Sequence, residues 1–229
     1  MSIEHVIPTE TALRPRAPGT YVINEVFYSL QGEGIRAGEP MVFVRFADCN
    51  LRCLKATAGF DCDTDFASGE EMPAPAVVAM AEGVLAANRG GVPANERPRI
   101  LFTGGEPSLQ LDQPLIDAFE VAGWRKFGIE TNGTIDLSHI WAGDFHVCVS
   151  PKSAEHTLRQ LVAREVKYVR GHGQALPEPR VKAEHYLLSP AAQADGSFRR
   201  EDLAWVIDLV KANPKWRFSL QMHKLLGVR

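Results

Sequence analysis

Short apolar runs rich in β-branched and aromatic residues recur along this chain of 229 residues. Near-continuous runs of this kind predict strands that are buried on both faces, as the strands of parallel sheets are. Between several of them, residues 73–88, 114–123 and 201–214 show the apolar periodicity of helices. The runs lie at residues 21–28, 41–47, 99–102, 126–130, 145–149, 166–169, 185–188 and 217–220. Alternating strands and helices predict an α/β fold with a mostly parallel sheet.

A polar or glycine-containing signature follows each of these predicted strands. In chain order the signatures read SLQGEG, DCNLRC, TGGEPS, ETNGT, SPK, RGHG, SP and QMHK. In open sheets and barrels of this type, ligands bind at the carboxyl ends of the strands. We therefore expect the signatures to converge on one edge of the sheet and to form the functional site there.

Composition and charge exclude two classes of partner. The formal net charge is -3 and basic residues form no block, so the chain lacks the electrostatic footprint of a nucleic-acid-binding protein. No apolar run approaches the roughly 20 residues that are needed to cross a bilayer. The N-terminus lacks the basic start and apolar stretch of a signal peptide. We therefore predict a cytoplasmic protein without nucleic-acid or membrane partners.

Length and proline content predict the domain organisation. Residues 1–20 contain Pro8, Pro15 and Pro18 and are expected to form an N-terminal leader. Residues 21–229 suffice for one sizeable core, and an α/β sheet of this length usually forms a single unit. One domain is therefore predicted after the leader.

Three of the four cysteines fall in one loop after the second predicted strand. Cys49, Cys53 and Cys62 have the spacing C-x3-C-x8-C, whereas Cys148 lies in the apolar run FHVCV and is expected to be a small buried side chain. A structural zinc site usually has four ligands. Three thiolates suit an iron–sulfur cluster with one iron open to a substrate or cofactor. The alternative is three unrelated reduced cysteines, since thiols stay reduced in the cytosol.

The cysteine loop and three later motifs resemble the radical S-adenosylmethionine (SAM) superfamily. The superfamily's loop is C-x3-C-x2-C, so this chain carries a six-residue insertion before its third cysteine. TGGEP at residues 103–107, ETNGT at 130–134 and SPK at 150–152 match SAM-binding strand ends of the superfamily. Each motif alone could be an ordinary turn, but the order of all four in one chain is specific. The resemblance implies a 4Fe–4S cluster held by the three loop cysteines, with SAM bound to the fourth iron.

The same resemblance implies a set of SAM-binding residues at the strand ends. They are Gly104, Gly105, Glu106, Glu130, Asn132, Ser150, Lys152 and Ser189. Ser189 stands in YLLSP, where some relatives have glutamine, so either a water bridges this side chain to SAM or the contact is missing.

Further segments are similar to the 7-carboxy-7-deazaguanine synthase family, a branch of this superfamily that leads to queuosine. The segments are FYSLQGEG (27–34), FVRFADCN (43–50), CDT (62–64) and LQMHKLLGVR (220–229), and the resemblance covers about residues 21–229. It implies a small partial (β/α) barrel and a homodimer. The implied reaction converts 6-carboxy-5,6,7,8-tetrahydropterin to 7-carboxy-7-deazaguanine with loss of ammonia. A flavodoxin or ferredoxin type of electron donor is also expected.

This family resemblance implies the residues that hold the substrate. Thr64, in CDT, matches a ligand of Mg²⁺ that is bound with the substrate, and Mg²⁺ prefers hard oxygen donors. From the residues alone, other roles stay open, since Arg45 could form a structural salt bridge, QGEG a plain turn and His223 a structural contact. The implied substrate-binding residues are Gln31, Glu33, Arg45, Thr103, Gly104, His223 and Arg229, the last through the terminal carboxylate.

Two other functions compete with this interpretation. A different small radical SAM enzyme, such as a glycyl-radical activase, would share the cysteines and GGEP but should lack QGEG, CDT and the terminal MHK. A non-catalytic iron–sulfur or zinc-binding module would leave GGEP, ETNG and SPK without a role. The sequence therefore favours a radical SAM lyase that acts on a pterin.

Overall fold

The computed structural model describes residues 14–51, 53, 67–89, 93, 96–193 and 195–228. Within these ranges the strands are β1 Thr20–Leu30, β2 Pro40–Phe46, β3 Glu70–Pro73, β4 Arg99–Gly104, β5 Lys126–Thr131, β6 Asp144–Val149, β7 Val162–Arg170, β8 Lys182–Pro190 and β9 Trp216–Phe218. The helices are α1 Ala74–Arg89, α2 Gln113–Val121, α3 Arg200–Ala212 and α4 Met222–Leu226. All eight predicted strands and all three predicted helices are therefore present, with shifted ends.

The nine described strands form one sheet in the order β3-β1-β2-β4-β5-β6-β7-β8-β9. From β2 to β9 every neighbouring pair is parallel, which confirms the predicted mostly parallel sheet. β1 instead runs antiparallel to both β2 and β3. The sheet is therefore mixed at one end.

The direction of β1 corrects one expectation about the site. Leu30, the last residue of β1, pairs with Pro40, the first residue of β2. SLQGEG therefore leaves the sheet at the edge opposite to the exits of the parallel strands, and the expectation that every signature meets at one edge is wrong for it. The turn still reaches the other strands, because Ile35 N donates to Glu165 on β7 at 3.0 Å. The sheet thus curves around this turn and encloses an interior.

Side chains of the sheet alternate between a helix-covered face and this interior. On β2, Val42, Val44 and Phe46 belong to the large apolar cluster that includes residues of α1 and α2. Met41 and Phe43 point the other way and pack in a small separate cluster. The period of two along the strand produces this separation. A second helix-side cluster lies under β7, β8 and α3 and includes Val166, Leu188 and Val206.

Helix α2 shows how local sequence sets the element ends. The side chain of Asp112 caps its first turn by accepting a hydrogen bond from Leu115 N at 3.1 Å. Gly123 follows the helix with φ of 93°, a conformation that glycine adopts without strain. Across the described ranges, every helix is too short or too polar to span a bilayer.

Candidate active site

The QGEG turn after β1 and the segment after β9 hold each other in place. Met222 N donates to Gly32 O at 2.9 Å, and Gly34 N donates to Ser219 Oγ at 3.0 Å. A Cβ atom on Gly32 would lie 2.1 Å from Nδ1 of His223 and 2.9 Å from its Cβ. Only glycine at position 32 therefore leaves room for this histidine, and the structure places His223 directly on the QGEG turn.

Two of the predicted carboxylates share one buried lysine. Lys167 Nζ on β7 forms ion pairs with Glu33 and, at 3.3 Å, with Glu130 Oε2 on β5. Each carboxylate also accepts an amide hydrogen bond, from Gln221 Nε2 to Glu33 at 2.6 Å and from Gln31 Nε2 to Glu130 at 3.2 Å. The structure thus brings together residues from the QGEG turn, from ETNGT and from the C-terminal segment.

The surroundings of these two carboxylates shift their pKa values in opposite directions. Burial acts to raise the pKa of Glu33, but the charge of Lys167 and the hydrogen bonds from Lys167 and Gln221 lower it to about 2. Burial raises the pKa of Glu130 above its ordinary value, and the charge of Glu33 adds to that rise. Burial acts to lower the pKa of Lys167, yet the charges of Glu130 and Glu33 raise it well above its ordinary value. Glu33 is therefore ionised at neutral pH beside a charged ammonium.

Lys167 is a site residue that the sequence analysis missed. It lies in the apolar run VKYV, a pattern that predicts a strand and no functional role. The sequence contains a signal, because lysine is almost never fully buried unless it is paired, and this lysine stands in a run predicted to be a buried strand. In the structure Lys167 is 6% exposed.

Cys148 is buried, as predicted, but its neighbours are polar. It is 2% exposed and pairs in register with Glu130 across β5 and β6. Burial raises the pKa of its thiol well above the ordinary value, and the negative charge of Glu130 adds to the effect. The thiol is therefore protonated and contributes an uncharged side chain to the interior.

Arg45 and Thr103 lie side by side in the register of β2 and β4. The Arg45 guanidinium lies 5.4 Å from the centroid of the Phe27 ring, and its Nη1 is 3.4 Å from Glu25 Oε1. Its Nε is buried without a hydrogen-bond partner among the described residues. Arg45 therefore has both a structural partner in Glu25 and a donor that an anionic ligand can use.

The described part of the cysteine loop suits an iron–sulfur cluster. Cys49 and Cys53 form no disulfide within the described part of the chain, are partly buried, and both pack on the buried side chain of Leu51. The amide of Leu51 lies 3.4 Å from Cys49 Sγ, and such N–H···S contacts tune cluster potentials. Cys62 and Thr64 lie outside the described residues, and the described ones alone contain no three-residue group of metal ligands.

Asn50, between the first two cysteines, ties the loop to the ETNGT turn. Its Nδ2 donates to Thr134 Oγ1 at 2.8 Å, and its Oδ1 accepts from Asn132 Nδ2 at 3.0 Å. All three side chains are buried. This network fixes the cysteine loop relative to the end of β5, and it assigns Asn132 a contact inside the protein in addition to its predicted SAM contact.

Glu106 of GGEP joins the ends of β4 and β5. One carboxylate oxygen accepts from Ser108 N at 3.0 Å, Ser108 Oγ at 2.5 Å and Thr131 Oγ1 at 2.7 Å. The other oxygen accepts from Asn132 N at 2.7 Å. Burial raises the pKa of Glu106, and these donors act against that rise. The side chain therefore organises the two turns that carry predicted SAM-binding residues.

Gly104 and Gly105 occupy the point where β4 approaches β2 most closely. Gly104 has φ of 114°, and a Cβ there would lie 2.2 Å from Phe46 O. Gly105 N donates to the same carbonyl at 3.0 Å. The close packing of β4 against β2 is therefore sufficient by itself to require glycine at position 104.

The predicted SAM residues after β6 and in β8 offer further polar groups. Lys152 Nζ donates to Ser150 Oγ at 3.0 Å, and Ser150 Oγ donates to Lys167 O at 3.2 Å. Ser189 is 1% exposed, and its hydroxyl has no hydrogen-bond partner among the described residues. A buried hydroxyl without a partner is costly, so the position fits a polar ligand group.

The fold and these strand ends together define a class of protein. A mostly parallel sheet that curves around a polar interior, with thiols after β2 and glycine-containing turns after β4 and β5, is the partial barrel of the radical SAM type. The chain is similar to the crystal structure of QueE from Escherichia coli, with a TM-score of 0.58 over 89% of this chain and 95% of that chain. The two sequences are 23% identical, so the comparison establishes the fold. The predicted fold class is confirmed.

Sequence relatives then identify the family. A protein from Burkholderia multivorans is 39% identical over 226 residues, which cover 91% of this chain and 99% of its own. Relatives from Bradyrhizobium diazoefficiens and Nitratidesulfovibrio vulgaris are 37% and 38% identical and span 92% and 91% of this chain and 100% and 99% of their own. All three are named 7-carboxy-7-deazaguanine synthase. The chain belongs to the 7-carboxy-7-deazaguanine synthase family. No family model matches it.

Proposed function

We propose that the chain converts 6-carboxy-5,6,7,8-tetrahydropterin to 7-carboxy-7-deazaguanine with loss of ammonia. The observation that carries this proposal is the meeting of Gln31, Glu33 and His223 in the barrel interior, beside Glu130. These residues come from distant parts of the chain, and the family resemblance assigned Gln31, Glu33 and His223 to the substrate. Amide, carboxylate and imidazole groups together offer the donors and acceptors that a pterin ring requires.

The cluster and SAM would be held at the strand ends. Cys49, Cys53 and Cys62 are proposed to hold the 4Fe–4S cluster, and the thiol chemistry of the two described cysteines supports this assignment. When bound, the cluster and SAM supply the radical chemistry that removes a hydrogen atom from C6 of the substrate. The residues proposed to bind SAM are Gly104, Gly105, Glu106, Glu130, Asn132, Ser150, Lys152 and Ser189.

The protein's own contribution is to bind and orient the pterin. Glu33 keeps lone pairs for a ligand after binding Lys167 and Gln221, because a carboxylate has about four acceptor sites. The guanidinium of Arg45 suits the substrate carboxylate. The remaining proposed contacts are Thr103 and Gly104 at the end of β4, His223, the terminal carboxylate of Arg229, and a Mg²⁺ ion held by Thr64. Arg229 lies outside the described residues, as Thr64 does.

The remaining proposals concern organisation and partners. We propose one catalytic domain over residues 21–229 after a leader of residues 1–20, a homodimer, and a cytoplasmic location. An electron donor of the flavodoxin or ferredoxin type would reduce the cluster. Support for these points comes from the family membership, since the relatives match nearly the whole chain.

Product analysis tests the function directly. The anaerobically reconstituted protein would be incubated with dithionite, SAM, Mg²⁺ and 6-carboxy-5,6,7,8-tetrahydropterin, and the products separated by mass. We expect 7-carboxy-7-deazaguanine to form. Formation of 5′-deoxyadenosine without that product would keep the radical SAM class and reject the substrate. Absence of both, with a full iron content, would reject the class as well.

A further inference from the structure

Lys167 is a buried cation in the middle of a strand, and no role in binding SAM or substrate has been assigned to it so far. It lies on β7 between Val166, which packs in the helix-side core, and Tyr168, which does the same. The alternation of the strand therefore turns Lys167 to the interior, where its Nζ contacts Glu33 and Glu130. A long apolar strand gains nothing by burying an ammonium, because removal of a charge from water is costly.

The ammonium connects two carboxylates from different elements. Glu33 comes from the turn between β1 and β2, and Glu130 comes from β5. Gln221 and Gln31 donate to the same carboxylates through uncharged amides, so they orient these carboxylates without adding positive charge. The charged or titratable groups that face this trio are Cys148 on β6, Glu165 on β7 and His223 on α4.

Two buried carboxylates that share a site cannot both ionise easily. Like charges at close range raise the pKa of one member of the pair by several units in known sites. The ammonium of Lys167 offsets this repulsion, which agrees with the low pKa of Glu33. Without the ammonium, a proton would take its place between Glu33 and Glu130, and the pair would offer one acceptor group fewer.

We propose that Lys167 is a positioning residue that fixes the Glu33 carboxylate as the acceptor for the N–H edge of the pterin, next to Glu130, which is proposed to bind SAM. The inference rests on the proposed function for the identity of the ligand. It adds a residue that acts through another, since Lys167 contacts Glu33 and Glu33 would contact the pterin. Loss of the Lys167 ammonium would change the protonation of Glu33 and would turn a flat pH dependence of pterin binding into a steep one.

The experiment compares three variants in the reconstituted holoenzyme. Lys167→Met removes the charge at similar length, and Lys167→Arg keeps it. Lys126→Met makes the same change at an exposed position of β5 and serves as the control. Binding of 6-carboxy-5,6,7,8-tetrahydropterin would be measured anaerobically by calorimetry from about pH 6 to pH 8.5. Infrared difference spectra would report the C=O stretch of any newly protonated carboxyl group.

The expected result has two parts. Lys167→Met should show a new protonated-carboxyl band at neutral pH, and its affinity should improve as the pH rises, by about tenfold per unit, because the ionised fraction changes by that factor below a pKa. Wild type, Lys167→Arg and Lys126→Met should show neither change. A Lys167→Met variant with the wild-type spectrum and a flat binding profile would overturn the inference.

Two features keep this test separate from that of the function. The infrared band requires no substrate. A wild-type protein that fails to bind the pterin would reject the proposed function, and the band would then test the role of Lys167 by itself. If Lys167→Met does not fold, the double variant Lys167→Met/Glu33→Gln should fold and lack the band, because one carboxylate is gone. A double variant that is also unfolded would assign Lys167 to packing alone and overturn the inference.

Discussion

His146 Nε2 lies 2.5 Å from Glu165 Oε1 in the buried interior beneath the QGEG turn. Arg36 Nε donates to the other ring nitrogen of His146 at 3.3 Å, so Nδ1 is the acceptor and Nε2 is the nitrogen that donates to Glu165. The second oxygen of Glu165 accepts from Ile35 N at 3.0 Å. One carboxylate on β7 therefore fixes both a buried histidine and the turn that carries Glu33.

Replacement of Glu165 should loosen the QGEG turn. Glu165→Ala leaves Ile35 N and the His146 ring without their buried partner, and each such group costs about 1–3 kcal/mol. We expect a lower free energy of unfolding by that order in denaturant titrations, together with a raised KM for the pterin. Glu184→Ala is the control, because Glu184 pairs with Arg164 on the exposed surface, where ion pairs contribute about 0–1 kcal/mol. Equal effects of the two substitutions would contradict this role.

Gly32 should not tolerate a methyl group. In Gly32→Ala the new Cβ would overlap the His223 ring, and a rotation of the ring does not help because the His223 Cβ itself lies 2.9 Å away. The C-terminal segment must therefore move, and we expect kcat/KM to fall by about tenfold or more. Gly83→Ala in α1 is the matched control, since a Cβ there meets nothing within 4 Å. It should raise stability by about 0.5–1 kcal/mol with unchanged kinetics.

The strands and helices were predictable because their apolar periodicity reflects burial in two layers. β3 was missed because its sequence EEMP has one buried side chain, Met72, and forms a strand only by pairing with β1. The antiparallel direction of β1 was also missed, although a signal existed. The connection over residues 31–39 is too short for a parallel crossover, which takes roughly a dozen residues or more.

The site was predictable to the extent that motifs mark strand ends. The family resemblance indicates Gln31, Glu33 and His223 as site residues, and the fold brings them together. Lys167 and Glu165 were not found, because their pairing partners lie far away in the sequence and meet only when the sheet curves. The contacts of Glu106 inside the protein depend equally on the spatial approach of two turns, which no spacing along the chain reveals.

We expect three of the cysteines to be ligands of the cluster and Cys148 not to be one. Cys49→Ala, Cys53→Ala and Cys62→Ala should each abolish assembly of the cluster, because a site-open 4Fe–4S cluster needs three thiolates. Cys148→Ala should assemble the cluster normally, since its thiol is buried beside Glu130 and held protonated. Iron and sulfide content after anaerobic reconstitution, with the visible spectrum, gives the readout. Normal iron in Cys62→Ala would remove that residue from the ligand set.

Acid stability should report the environment of Glu33. Its pKa is about 2 in the folded protein against an ordinary 4.5, so the folded state binds fewer protons than the unfolded state in this range. The resulting stabilisation is complete above about pH 4.5, is lost as the pH falls toward 2, and amounts to about 3 kcal/mol at neutral pH.

Glu33→Gln removes this contribution, so the difference in unfolding free energy between wild type and variant should be largest at neutral pH and shrink on acidification. The raised pKa of Glu130 acts in the opposite direction in both proteins, because that group is more easily protonated when folded. Because the charge of Glu33 contributes to the raised pKa of Glu130, this opposing effect is smaller in Glu33→Gln, and the measured difference contains both contributions. Denaturant titrations of wild type and Glu33→Gln at several pH values between about 3 and 7 measure the difference. A difference that stays constant over this range would show that Lys167 does not hold Glu33 ionised.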